Sequence, residues 1–186
     1  MTNVAAAEIA ETTDTMPSVF ERLAGLTGEI TLSRQDLEEI FPHRGPALIA
    51  DHAIINPIEC QLHLPGEQFG EYLAGQPWNF PPHFQQAMLA QVAGLAAMVK
   101  LAKQIGPEKL SQYKFPIIQR SGDWETGPLM TNLVSKKTLI ASACYGHVRL
   151  EIINSKVAYE ASAKIAHGHS HAFYGGIRVI LAPTAD

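Results

Sequence analysis

At 186 residues, with 46% hydrophobic and 17% charged side chains, the chain has the size of one domain, and disorder over most of its length is excluded. The net charge is −4, from 14 Lys and Arg against 18 Asp and Glu, with no basic block, which argues against nucleic acid as the main partner. Cys60 and Cys144 lack any Cys-x-x-Cys spacing, so zinc-finger and disulfide-scaffold readings fail. No apolar run approaches ~18 residues without polar interruption, which argues against a membrane span. The N-terminal MTNVAAAEIAETTDT has early acids and no positive region, so it is not read as a secretory signal, and the expected compartment is the cytoplasm.

Residues 1–16, rich in Ala, Thr and acids, read as a flexible leader, and residues 17–181 as a single domain with a helical N-terminal extension. From Pro17 to Leu26, the residues Val19, Phe20, Leu23 and Leu26 recur at helical spacing, and Gly25 and Gly28 suit the end. Ser33 and Asp36 resemble a capping box ahead of a short helix, RQDLEEIF, stopped by Pro42. Ala47 to Ile55 is apolar enough for a buried strand or a helix-to-strand passage, and Cys60 to Leu64 alternates as a strand does. Gly66 to Pro82 is punctuated by Gly and Pro and reads as a loop.

HFQQAMLAQVAGLAAMVKLAKQIG follows. Good helix formers and a stop at Gly106-Pro107 predict a helix of about 23 residues, roughly 34 Å long. Phe84, Met88, Gln91, Leu95 and Met98 share one stripe, and alanines fill much of the remainder, so this helix is expected to be wrapped nearly all round. Beyond it, strands are predicted at Phe115 to Gln119, Leu129 to Val134, Thr138 to Tyr145, Arg149 to Ile153 and Lys156 to Ile165. Turn signals at Gly146-His147 and Asn154-Ser155 make the last three an antiparallel meander, with Ile177 to Leu181 as an added edge strand. The result is an α+β arrangement, a curved antiparallel sheet around one central helix.

The segment FPHRGPALIADHAIINP is similar to the opening of the β-hydroxyacyl-ACP dehydratases, approximately L-P-H-R-x-P-x-L-x-x-D. Pro42, His43, Arg44, Pro46, Leu48 and Asp51 match it. Phe69, Gly75, Pro77, Pro81, Ala90, Gln91 and Gly94 fall on family positions if one residue is inserted near Phe80. The stretch from Asn132 to Ile165 also looks like the family's last three strands. The resemblance covers about residues 33 to 166. It implies the hot-dog fold and work on acyl thioesters carried by ACP or CoA, in fatty-acid or polyketide-type biosynthesis. It also implies a homodimer, or a heterodimer with another hot-dog chain. No cofactor and no metal are expected.

The chain departs from the family where the chemistry sits. The family's loop His falls on Tyr72, and its helix acid falls on Ala87, or on Gln86 if the helix shifts by one. Dehydration of a 3-hydroxyacyl thioester needs a base at C2 and an acid for the leaving hydroxyl. Tyr has a reference pKa near ~10 and Gln does not titrate. His83, at the helix start, reads either as a base kept neutral by the helix dipole or as a capping residue. His83, Tyr72 and Gln86 are thus the candidate catalytic residues of a dehydratase-like enzyme. Gly75, Pro77 and Gln91 are the candidate substrate-binding residues, Gly75 through a backbone N–H to the thioester oxygen. Gln91 reads equally as a brace for neighbouring backbone.

His43 and Arg44 read as structural. His167, His169 and His171 would share one face of a strand, a spacing able to bind metal, but are read as a solvated strand end. The cysteines read as small strand residues rather than nucleophiles. Three functions compete: a dehydratase-like enzyme, a non-catalytic subunit partnering an active dehydratase, and an acyl-thioester hydrolase.

Overall fold

A computed structural model describes residues 16–65, 82–114, 138–153, 156–167 and 170–183. Two short helices lead in. Helix α1 (Val19–Ala24) begins at Ser18, whose hydroxyl accepts the Glu21 N–H while the Glu21 carboxylate accepts the Ser18 N–H. Helix α2 (Arg34–Ile40) repeats the device, with Ser33 and Asp36 capping each other. Asp36 also pairs with Arg22 of α1, so one carboxylate both starts a helix and ties it to its neighbour. Burial works against ionisation of Asp36, but the Ser33 hydrogen bonds and Arg22 outweigh it and hold the carboxyl below its ordinary value.

The central helix α3 (Pro82–Ile105) has 24 residues. It stops where Gly106 takes φ of 81°, a left-handed conformation that suits a residue without a Cβ, and Pro107 opens the short α4 (Pro107–Leu110). By length and composition alone Phe84–Ile105 would pass as a membrane span, yet 72% of its apolar window is buried inside the protein. Its composition reflects its enclosure.

Eight strands, all antiparallel, make up the sheet among the described residues. They are β1 (Ile30–Leu32), β2 (His52–Ile55), β3 (Glu59–Leu64), β4 (Tyr113–Lys114), β5 (Leu139–Cys144), β6 (Val148–Ile153), β7 (Lys156–His167) and β8 (Ser170–Pro183). The order is β1-β2-β3-β5-β7-β8-β4, with β6 also on β7. One face of the pleat is apolar: Ala53, Ile55, Cys60, Leu62, Leu139 and Ala141 are buried toward the helix, and the residues between them are more open.

Three expectations need correction. Gly146-His147 does not reverse the chain. The 3-10 turn Tyr145–His147 is a jog, after which β6 continues along the same side of β7 that β5 leaves: β5 pairs with His167 to Lys164 and β6 with Ala161 to Lys156. A 12-residue β7 is long enough to serve both, so the meander has one strand fewer than the turn signals suggest. The terminal strand is not a short added edge at Ile177 to Leu181. It runs for 14 residues, is bonded along β7, and carries β4 against its end. The three histidines do not share a strand. His167 ends β7, His171 lies in β8, and the His167–Ser170 pair closes the reversal between them, which removes the one-face argument for a metal. The strands expected at 115–119 and 129–134, and the loop at 66–81, lie outside the described residues.

Candidate functional site

The front of the central helix differs from the rest of it. From Gln91 to Val99 every side chain is buried, whereas Phe84, Gln86, Ala87 and Ala90 are half-buried. Gln85, turned to the other side, is 1% exposed. The half-open stripe therefore lies at the end where the dehydratase-like reading places its chemistry.

Next to the stripe, Gln91 joins the helix to the segment that follows Pro42, His43 and Arg44, and polar side chains hold that segment by its backbone. Gln91, 3% exposed, donates from Nε2 to the Ala47 carbonyl at 2.7 Å and accepts the Ile49 N–H at Oε1, 3.2 Å away. Arg34 donates to the carbonyls of Gly45, Leu48 and Ala50 at 2.6, 2.9 and 2.9 Å. Arg44 donates to the carbonyls of Phe41 and His43 at 2.6 and 2.8 Å. Apart from the turn bonds at Arg44 and Gly45, the stretch leaves carbonyls for side chains to satisfy, and charged donors stabilise such a path more strongly than neutral ones. His43 is half-buried, edge-on to Phe41 with ring centroids 6.1 Å apart. Burial and then the Arg44 charge lower its pKa.

The same segment leads into a polar line across the outer face of the sheet. His52 and His63 are register partners whose rings stack at 4.8 Å. His52 Nδ1 lies 3.0 Å from the Asp51 carboxylate, and His63 Nε2 lies 3.2 Å from Gln61 Oε1. Gln61 donates on to Glu59 at 2.8 Å, and the Cys144 thiol points at the other Glu59 oxygen, 3.6 Å away. Burial and the facing His52 lower the His63 pKa. Neither thiol is set up as a nucleophile: burial and Glu59 push both upward, and Cys60 is fully enclosed, pointing its thiol at the Val92 carbonyl.

A groove of about 600 Å³ opens on this outer face, lined by residues that include Ser142, Cys144, Arg149, Ser162 and Lys164. It exists because the jog leaves Ser162 and Ala163 of β7 without a partner on that side. It lies across the sheet from the helix and is not an acyl channel.

Of the sequence-predicted site residues, Gln86 and Gln91 are both on the front half of the helix, Gln86 on its half-open stripe and Gln91 turned inward with both amide atoms on the protein's own backbone. His83 belongs to the first turn of that helix, but its side chain lies outside the described residues. Tyr72, Gly75 and Pro77 lie outside them as well. Among the described residues no group of three or more His, Cys, Asp or Glu is placed to hold a metal ion. Sequence reasoning missed Gln85, Arg34 and the His52–His63 stack. The hairpin turn at Asn56 to Glu59 carried the signal for the stack, since closing it there sets His52 opposite His63.

No family model matches the chain, and no curated protein matches it. Solved structures do. A chain from the dehydratase heterocomplex ApeI:P of Xenorhabdus doucetiae superposes with a TM-score of 0.54 at 11% identity, over 81% of this chain and 91% of that one. A sigma28-regulated virulence protein from Campylobacter jejuni gives 0.44 at 12% identity, over 81% and 96%. A thioesterase family protein from Silicibacter pomeroyi gives 0.34 at 9%, over 70% and 82%. The fold is the hot-dog fold: a curved antiparallel sheet around one long helix.

Proposed function

We propose that this chain is a hot-dog subunit of acyl-thioester processing, dehydratase-like, acting on chains carried by ACP or CoA in fatty-acid or polyketide-type biosynthesis. One observation carries the reading. The central helix is sealed from Gln91 to Val99 and half-open on one stripe at its front, and Gln91 there ties it to the segment that follows Pro42-His43-Arg44, which Arg34 also holds by its carbonyls. A thioester laid against that stripe meets small side chains, Ala87 and Ala90, and one amide, Gln86. The Gly75 N–H and the positive end of the helix would polarise its carbonyl, with Pro77 shaping the loop around it.

Proton transfer is the open position in this site. From Phe84 to Gln91 the helix has no titratable side chain. His83, in the first turn of the helix, would serve as the base and Tyr72 as the donor to the leaving oxygen. The same lack of a helix carboxylate favours a second reading, in which the chain holds substrate while another hot-dog chain supplies the acid and base. A thioester hydrolase, with Gln86 orienting water, is the third.

The test incubates the purified chain, alone and with an active dehydratase, with 3-hydroxyacyl-, enoyl- and acyl-ACP, and follows the acyl species by mass. Turnover by the chain alone that falls ~100-fold or more in His83→Ala supports the catalytic reading. No turnover by the chain alone, but turnover in the mixture above that of the dehydratase by itself, with stable co-purification, supports the subunit reading. Release of free thiol from acyl-CoA points to hydrolysis. Thioesters left unchanged by the chain alone, and turned over in the mixture no faster than by the dehydratase by itself, would overturn acyl-thioester processing.

A further inference from the structure

The interior behind the front stripe is filled. From Val92 to Val99 no side chain of the central helix has any surface that water can touch. Leu62 and Leu64 of β3, Leu139 and Ala141 of β5, and Ile165 of β7 are equally enclosed, and these three strands pack against the helix. Helix α1 packs on it too, with Val19 and Leu23 buried. An alkyl chain is wider than a water molecule, so side chains that water cannot reach line no channel for one.

At the front, Gln85, Met88 and Leu89 are sealed as well, so the accessible surface of the helix from Phe84 to Val99 belongs to Phe84, Gln86, Ala87 and Ala90. Ala90 is the last of these. The positions three and four residues on, Ala93 and Gly94, continue its face of the helix and are already closed. The six-residue step from Phe84 to Ala90 rises ~9 Å, the length of roughly seven carbons of an extended acyl chain.

We infer that the acyl chain taken at this site is short, with a ceiling of about eight carbons: the carbonyl and the roughly seven that the stripe can cover. This ceiling rests on the acyl-thioester reading and narrows its substrate class. With the carbonyl at the positive end of the helix, beside the Gly75 N–H, the tail runs over Ala87 toward Ala90. Each carbon laid on that stripe leaves water and gains affinity. A ninth or tenth carbon meets the closed face at Ala93 and Gly94. It must either part close-packed side chains, which costs more than the burial returns, or turn off the helix and lose that burial. The limit is set by enclosure in the chain's own core, so it holds whichever chain supplies the acid and base.

Calorimetric titration of the full chain with saturated acyl-CoA thioesters of even length, from butyryl to tetradecanoyl and below micelle-forming concentrations, tests this. Affinity, or kcat/KM where the thioester is turned over, should rise ~10-fold for each two carbons up to octanoyl, then level off or fall. Ala90→Leu puts a bulky side chain at the end of the stripe and should lower the octanoyl-to-butyryl ratio ~10-fold or more, with circular dichroism confirming the fold. Ala90→Val, a smaller change at the same place, should move the ratio the same way. A gain that continues unbroken to tetradecanoyl, or a ratio that neither folded variant changes, would overturn the ceiling and leave the acyl-thioester reading standing. Thioesters of every length left unbound would overturn that reading and the ceiling with it.

Discussion

The two ends of the central helix are held by different means. Toward the rear, Leu95, Met98, Val99 and Leu101 are fully enclosed and fix the helix by apolar contact, while Lys100, Lys103 and Gln104 reach outward. At the front, side chains on one flank stay half-open, and order comes from hydrogen bonds that Gln91 and Arg34 send into the neighbouring segment. Packing tolerates no gap, whereas a bonded scaffold can hold a surface in place while leaving it accessible. A hot-dog protein that admits a substrate or a second chain at one end needs this division.

The division can be tested by mutation. Leu95→Ala, at a residue with no exposure, should cost ~3 kcal/mol in denaturant unfolding, because the rear cannot close around the lost volume. Ala87→Ser, on the half-open stripe, should stay within about 0.5 kcal/mol. Equal losses at both positions would erase the contrast. Gln91→Leu keeps the volume but leaves the Ala47 carbonyl and the Ile49 N–H without their amide, an expected loss of ~2 kcal/mol. Its effect on the front segment should appear as faster proteolysis near Gly45. Ser33→Ala, which removes one half of the α2 cap, should cost ~1 kcal/mol and leave the central helix unchanged by circular dichroism.

The smallest effect concerns pH. His63 has a folded-state pKa held below its ordinary 6.5, so the folded protein binds fewer protons there than the unfolded chain. Its contribution is complete above 6.5 and is lost as the pH falls through the window beneath that value. His63→Gln should flatten this part of the stability profile, read from thermal midpoints across mildly acidic buffers. His43, shifted in the same direction, supplies the slope that remains.

Much of the architecture was legible in the chain. Punctuation marks the central helix: Pro81-Pro82 before it and Gly106-Pro107 after it bracket Pro82–Ile105. The alternation from Cys60 to Leu64 and the reciprocal caps at Ser33 and Asp36 rest on local rules, and they were readable for that reason. The jog at Tyr145–His147 was not, because a Gly-His pair between two apolar runs looks the same whether the chain reverses or merely sidesteps. Only β7, ten residues on, decides it. The histidine run carries its own break at Gly168, and the chain reverses between His167 and Ser170, as a strand end would. In the site, Gln91 stood out as an amide on an apolar helix. Arg34 did not, because its three carbonyl partners lie 11 to 16 positions away on irregular backbone that carries no pattern.

The sidestep at Tyr145–His147 has a kinetic corollary. Strand β7 is flanked on both sides for nearly its whole length, which makes it the part of the sheet last to surrender its amide protons to deuterium. The two positions the sidestep leaves bare on one side, Ser162 and Ala163, form a weak link in that spine. Solvent would enter there first, dividing an otherwise continuous rod into two segments that open separately.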